Sequence, residues 1–177
     1  MRPIYFDKKH LPLMQGLTRK QGGSKVAIFQ SYRELLCYAA LLGYQDGVPP
    51  DSLPADSSGK DRIQWYDFAA DDLHDYIFIT ALADTQDISI LDDTSDEGKA
   101  SQERNKGMEQ IFEEYAHRGL NILATWVKKG YGDTLAHAII KGLKEDGYLS
   151  ETSKQEEPAT DTDDKPTEST DDKPAES

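Results

Sequence analysis

Four histidines and a single cysteine are the side chains with the most direct claim to chemistry. Each histidine follows an acid at short spacing: Asp7-x-x-His10, Asp71-x-x-His74, Glu114-x-x-His117 and Asp133-x-x-x-His137. Residues three or four apart share a helix face, so each pair could offer a carboxylate and an imidazole to one ion. Glu-x-x-His is also the spacing found among the ligands of carboxylate-bridged di-iron bundles. Such a bundle needs two copies of it, plus a glutamate from each of two other helices, all pointing inward. Here Asp71 and Asp133 stand at predicted helix starts, where aspartate is expected as a cap. The apolar stripe around the Glu-x-x-His pair is Met108, Ile111, Phe112, Tyr115, Gly119 and Ile122. Glu113, Glu114 and His117 fall beside or opposite that stripe, which predicts a solvated face. On this reading there is no metal site and no cofactor.

Nucleophilic catalysis finds no better footing. There is no Gly-x-Ser-x-Gly elbow, and Cys37 has no histidine near it in sequence. Cys37 lies inside an apolar helical pattern and reads as a buried thiol. Gly22-Gly23-Ser24-Lys25 lacks the first glycine of a phosphate-binding loop and ends in the wrong order. The expectation is a protein that is not an enzyme, with no catalytic residues.

Charge narrows the partners. Across 177 residues the formal net charge is -13, a balance that repels nucleic acid and anionic lipid at long range. More than half of it sits from Glu151 onward, where ten acidic residues face three lysines. Thr162–Ser169 and Thr170–Ser177 repeat TDDKPTES and TDDKPAES. With two alanines as its only apolar side chains, that segment has little to offset an ordering cost of roughly 1–2 kcal/mol per residue. Residues 151–177 are therefore read as a disordered acidic tail, and 1–150 as one helical domain. No apolar run approaches the roughly 20 residues of a membrane span, and MRPIYFDKKH lacks the apolar core of a signal peptide. The expected location is the cytoplasm.

The elements that must position these groups are mostly helical. Asp7–Lys20 places Leu11, Met14 and Leu17 on one face. Val26, Ile28 and Phe29 form an extended or buried connector. Ser31-Tyr-Arg-Glu34 is a capping box opening a helix, with Tyr32, Leu35, Leu36, Ala39 and Leu42 inward and Gly43 as its stop. Residues 45–61 form a long Pro-rich loop, and Arg62–Phe68 alternates weakly as a short strand. Asp71 or Asp72 caps a helix to about Leu82, followed by a small anchor of Ile88, Ile90 and Leu91. An amphipathic helix runs from Met108 to Trp126, as one piece or as two joined at Arg118-Gly119, and Gly130 ends it. Asp133 caps a last helix that closes at Gly147. The predicted fold class is mainly all-α: an irregular helical domain of five or six helices with little sheet.

Several of these segments resemble, in order, the family called dnd system-associated protein four, which accompanies bacterial DNA phosphorothioation gene clusters. Tyr32, Glu34, Ala39, Ala40, Gly43 and Tyr44 match its opening helix, with an extra leucine before the glycine. Ile63-Gln64-Trp65 and Ala81-Leu82-Ala83 follow. Phe112, Glu113, Glu114, Tyr115, Ala116, Gly119 and Leu120 match a closing Phe-Glu-Glu-Tyr-Ala-x-x-Gly-Leu motif. The resemblance covers about 25 to 145; Arg104 to Gly107 and the acidic tail have no place in it. It carries over no catalytic residue. It implies a cytoplasmic, non-enzymatic accessory of phosphorothioate modification, or of the anti-phage restriction that depends on it.

The expected partner-binding residues are Glu113, Glu114, Tyr115, Gly119 and Leu120, with the two glutamates presented outward to a basic protein of the modification or restriction complex. The alternative is a DNA-binding regulator of the same cluster, using Arg19, Lys20, Lys25 and Arg33. In that alternative DNA is contacted directly; in the first it is reached, if at all, through partners.

Overall fold

The computed structural model describes residues 1–19, 27–49, 52–55, 57–92, 107–130 and 134–149. Lys20, Val26, Asp133 and the acidic repeat of 151–177 lie outside the described residues. Six helices and one two-stranded sheet make up the fold among those described, in keeping with the mainly helical class expected. Strand β1 (Ile4–Asp7) leads through a 3-10 turn, Lys8–His10, into α1 (Leu11–Thr18). Then come α2 (Tyr32–Gln45), β2 (Lys60–Ile63), α3 (Trp65–Ala69) and α4 (His74–Thr85). The long α5 (Met108–Lys128) and α6 (Leu135–Glu145) complete it.

The capping box of α2 forms largely as its residue types dictate. Ser31 Oγ accepts from the Glu34 N–H at 3.2 Å, and the Glu34 carboxylate reaches back to the N–H of Gln30 at 2.6 Å, so exposed donors at the helix start are satisfied from both sides. Leu35, Leu36, Ala39 and Leu42 are buried. The expected stop does not occur at Gly43. The helix continues to Gln45, and the left-handed glycine beyond it is Gly47, at φ 68.

Gly43 is instead a contact. A Cβ built there would come closer than 3.0 Å to the carbonyl of Tyr115, and one built on Gly119 would overlap the backbone of Ala39. Two glycines on facing helices thus let α2 and α5 cross at backbone distance. Their residues Leu35, Leu36, Ala39, Phe112, Ala116, Leu120 and Leu123 all belong to one buried cluster. α5 runs unbroken through Arg118-Gly119, so the glycine read as a possible joint is a close-packing position. Trp126, near the end of α5, lies under Gly142 of α6 and donates its indole N–H to Asp146 at 2.6 Å.

Other boundaries differ from expectation for local reasons. β1 pairs antiparallel with β2, Ile4 opposite Ile63 and Asp7 opposite Lys60. Only the start of Arg62–Phe68 is strand, because Trp65 opens α3. Neither Asp71 nor Asp72 caps α4: Asp71 pairs with Arg33 at 2.6 Å, and Asp72 takes a left-handed φ of 56 in the turn between α3 and α4. Thr134 caps α6 through the His137 N–H at 3.2 Å. Of the anchor after α4, Ile90 alone is buried, while Ile88 and Leu91 face outward.

The glycine crossing gives a signed prediction. Ala exceeds Gly in helix propensity by about 1 kcal/mol, so Gly119→Ala would stabilise an open helix. Here the clash is with backbone, which cannot rotate aside, and overpacking costs about 1–3 kcal/mol. Thermal unfolding followed by circular dichroism should show a lower midpoint for both Gly43→Ala and Gly119→Ala. An unchanged or raised midpoint would contradict the close crossing.

Candidate functional site

The polar face of α5 is the part of the molecule where unusual side chains gather. The solvated placement expected for Glu113, Glu114 and His117 is not what the fold produces: they are 5%, 2% and 6% exposed. The reason lies at the other end of the chain. The N-terminal segment runs alongside α5 in the same direction, from Arg2 beside Glu109 to His10 beside His117. It covers the face that the apolar stripe leaves free.

Glu113 is the fastening. Its carboxylate accepts from Arg2 Nη1 at 2.6 Å, Arg2 Nη2 at 3.0 Å and the Tyr5 N–H at 2.8 Å. The Arg2 main-chain N–H donates to Glu109 at 3.1 Å. Burial pushes the Glu113 carboxyl above its ordinary range, and the guanidinium and the Tyr5 N–H pull the other way; the fork of donors favours the carboxylate form. Glu114 accepts from Gln110 at 3.0 Å. Together these residues wall a cleft of about 400 Å³ whose other lining comes from Arg2, Tyr5, Ser52, Leu53, Lys60 and Gln110.

The rest of the expected partner-binding motif faces the protein itself. Tyr115 donates its hydroxyl to Asp84 at 2.6 Å and packs edge-on against Tyr44, which reaches the Ala83 carbonyl. Burial, and then that carboxylate, raise the Tyr115 pKa. Gly119 makes the crossing with Ala39, and Leu120 is fully buried. Between the motif and α6, Arg118 pairs with Asp46, which also accepts from the Tyr148 hydroxyl at 3.1 Å.

Of the acid–histidine pairs, the fold brings one acid and two histidines together. Asp7, His10 and His117 are all buried, with candidate ligand atoms within 4.8 Å of one another. The two imidazoles meet edge to face at 5.3 Å between centroids. Asp7 accepts from the Lys9 N–H at 2.9 Å as the cap of the turn. Burial, followed by Lys9 and His117, lowers the His10 pKa to about 4 against the pull of Asp7. His74 stacks with Trp65 and Phe78 instead, and His137 is exposed on α6. Glu114, the partner of His117 in the Glu-x-x-His spacing, is not part of this cluster. The sequence signal for it was the Asp7-x-x-His10 pair; its proximity to His117 had none.

Of the four cations of the DNA-binding alternative, Arg19 and Arg33 are among the described residues. Arg19 is exposed just after α1, and Arg33 is committed to Asp71 and to the Asp67 carbonyl. Lys20 and Lys25 lie outside the described residues. Cys37 is buried, and burial, followed by Glu34, raises its thiol to about 12.

Two measurements check this geometry. Glu113→Ala should speed amide exchange of Tyr5 and its β1 neighbours while leaving 135–145 protected, and Glu114→Ala should not release the Tyr5 amide. The Cys37 thiol, ordinarily near 9.0, should resist an aromatic disulfide reagent at pH 8.5 in the native protein and react at once in denaturant, since the thiolate is the nucleophile. Rapid native labelling would contradict its burial.

No curated protein and no solved structure matches the chain. A family model, DNA sulphur modification system-associated protein 4, matches residues 4–163. That span takes in β1 and the N-terminal segment from Ile4 onward, without Arg2, as well as the glycine crossing and the closing motif. The chain belongs to the family of DNA sulphur modification system-associated protein 4.

Proposed function

We propose that this protein is a non-enzymatic adaptor within a DNA sulphur modification system, binding a protein of the modification complex or of the restriction that depends on it. Family membership supports the setting. The observation that carries the adaptor reading is the fate of residues 112–120. Phe112, Ala116 and Leu120 fill the core, Glu113 holds the N-terminal segment, Tyr115 ties α5 to α4, and Gly119 permits the crossing. Six of the seven residues of this motif are occupied in building a scaffold, which favours a protein whose work is done by its outer surface.

Glu113 and Glu114 are therefore not the contact residues of this proposal. The contact is assigned to α4 and the turn packed on its end. Tyr76, Ile79, Ile88 and Leu91 are large apolar side chains turned outward in succession there, with Ile79 55% and Ile88 76% exposed. Large apolar groups exposed in series mark interaction surfaces more often than single ones do. An adaptor contact of this kind needs no cofactor and no catalytic residue.

Co-expression with the modification and restriction proteins of the same gene cluster tests the proposal. The wild-type chain should co-purify with one of them, and Ile79→Glu with Ile88→Glu should abolish that while leaving the unfolding midpoint within about 4 °C, as two exposed substitutions of up to about 0.5 kcal/mol each allow. No co-purification, together with a mobility shift on DNA that weakens steeply with salt, would instead support the DNA-binding regulator.

A further inference from the structure

We propose that Asp7, His10 and His117 bind one divalent transition-metal ion, zinc, which fastens the N-terminal segment to α5. Three observations carry this. First, the donors converge from two parts of the chain: Asp7 and His10 flank the 3-10 turn, His117 stands on α5, and their candidate ligand atoms lie within 4.8 Å of one another. Second, the cluster is enclosed, with Asp7 7% and His10 3% exposed. Third, His10 Nε2 is buried with no hydrogen-bond partner among the described residues. Leaving such a nitrogen unsatisfied is unfavourable, whereas a metal would satisfy it directly.

The donor set selects the ion. Two imidazoles and one carboxylate suit zinc and its neighbours in the first transition row, and suit magnesium or calcium poorly, which take oxygen ligands. Ferrous iron also uses two histidines and a carboxylate, but in sites that keep coordination positions open to a reactant. Three protein donors leave the fourth tetrahedral position to a water, a pattern usual in catalytic zinc sites; burial of all three residues closes that position to a substrate and makes the ion's role here structural. Ligand atoms around tetrahedral zinc stand roughly 3.3 Å apart, given bonds of about 2.0–2.1 Å, so loading draws the three side chains inward. Asp7 can take part while one oxygen keeps its bond to the Lys9 N–H, the other exchanging the Lys9 ammonium at 3.4 Å for the ion.

The consequence is mechanical. Glu113 fastens the segment at Arg2 and Tyr5, and the metal would fasten it one helical turn further on. β1 and the start of α1 would then gain a further attachment to α5, beyond those at Glu109 and Glu113.

The test uses the full chain purified without a histidine tag, stripped with a chelator and titrated with zinc alone. The expected result is saturable binding of one equivalent, with the unfolding midpoint raised by roughly 5–10 °C at a hundredfold excess over Kd. Cobalt in place of zinc should give the visible bands of a tetrahedral site. His10→Ala and His117→Ala should each weaken binding by more than about 100-fold, beyond what loss of a merely supporting residue causes. His137→Ala, on the surface of α6, should bind as the wild type does. If the His10 and His117 variants do not fold, the wild-type cobalt spectrum and zinc-dependent midpoint decide. Absence of saturable binding in the wild type, or binding that survives both substitutions, overturns the proposal.

Discussion

The backbone-close crossing of α2 and α5 is the constraint on which the rest of this structure depends. Gly43 and Gly119 oppose Tyr115 and Ala39, each in a space no side chain could share. With the helices that near, Leu35, Leu36, Ala39, Phe112, Ala116 and Leu120 share one buried cluster. Dispersion gains of this kind are small per atom pair and fall away quickly with separation. A wider spacing would therefore cost contacts along both helices together. α4 docks onto α5 through Tyr115 and Asp84, and α6 through Trp126 and Gly142. Both take their positions from a helix already placed by the crossing.

A second consequence is that α5 is enclosed on nearly every side. A helix with one wet face needs only one partner layer, but α5 has α2 and α4 on its apolar stripe and the N-terminal segment on its polar one. Its glutamates and histidine are inside, and buried ionised groups persist only when paired and hydrogen-bonded. Arg2 and the Tyr5 N–H meet that requirement for Glu113. Glu113 on this face consequently acts as an attachment point between α5 and the N-terminal segment.

This changes where function should be sought. A motif of charged and aromatic residues such as FEEYA with a following Gly-Leu invites reading as a recognition surface. In the folded chain its members pack in the core and bridge to neighbouring segments. Apolar side chains that meet solvent lie elsewhere, among them Tyr66 on α3, Ile79 on α4, Ile88 in the turn beyond it and Ile140 on α6. Among the described residues no helix is long and apolar enough to cross a membrane.

The helical class, the apolar stripes of α2 and α5, the capping box at Ser31 and the resemblance to the sulphur-modification family were legible in the residue order, because each is a local pattern of period, cap or ordered motif. Gly43 and Gly119 were visible as glycines, but whether a helical glycine stops a helix or admits a neighbour depends on what lies across from it. The burial of Glu113 and His117 depended on Arg2, Tyr5 and His10, more than a hundred residues away, and Glu114 meets Ser52 from the loop before β2; no periodicity within α5 can report a cover supplied from so far along the chain. Tertiary structure alone decided that one aspartate and two histidines share a buried site, since only the path of the N-terminal segment along α5 brings them within reach.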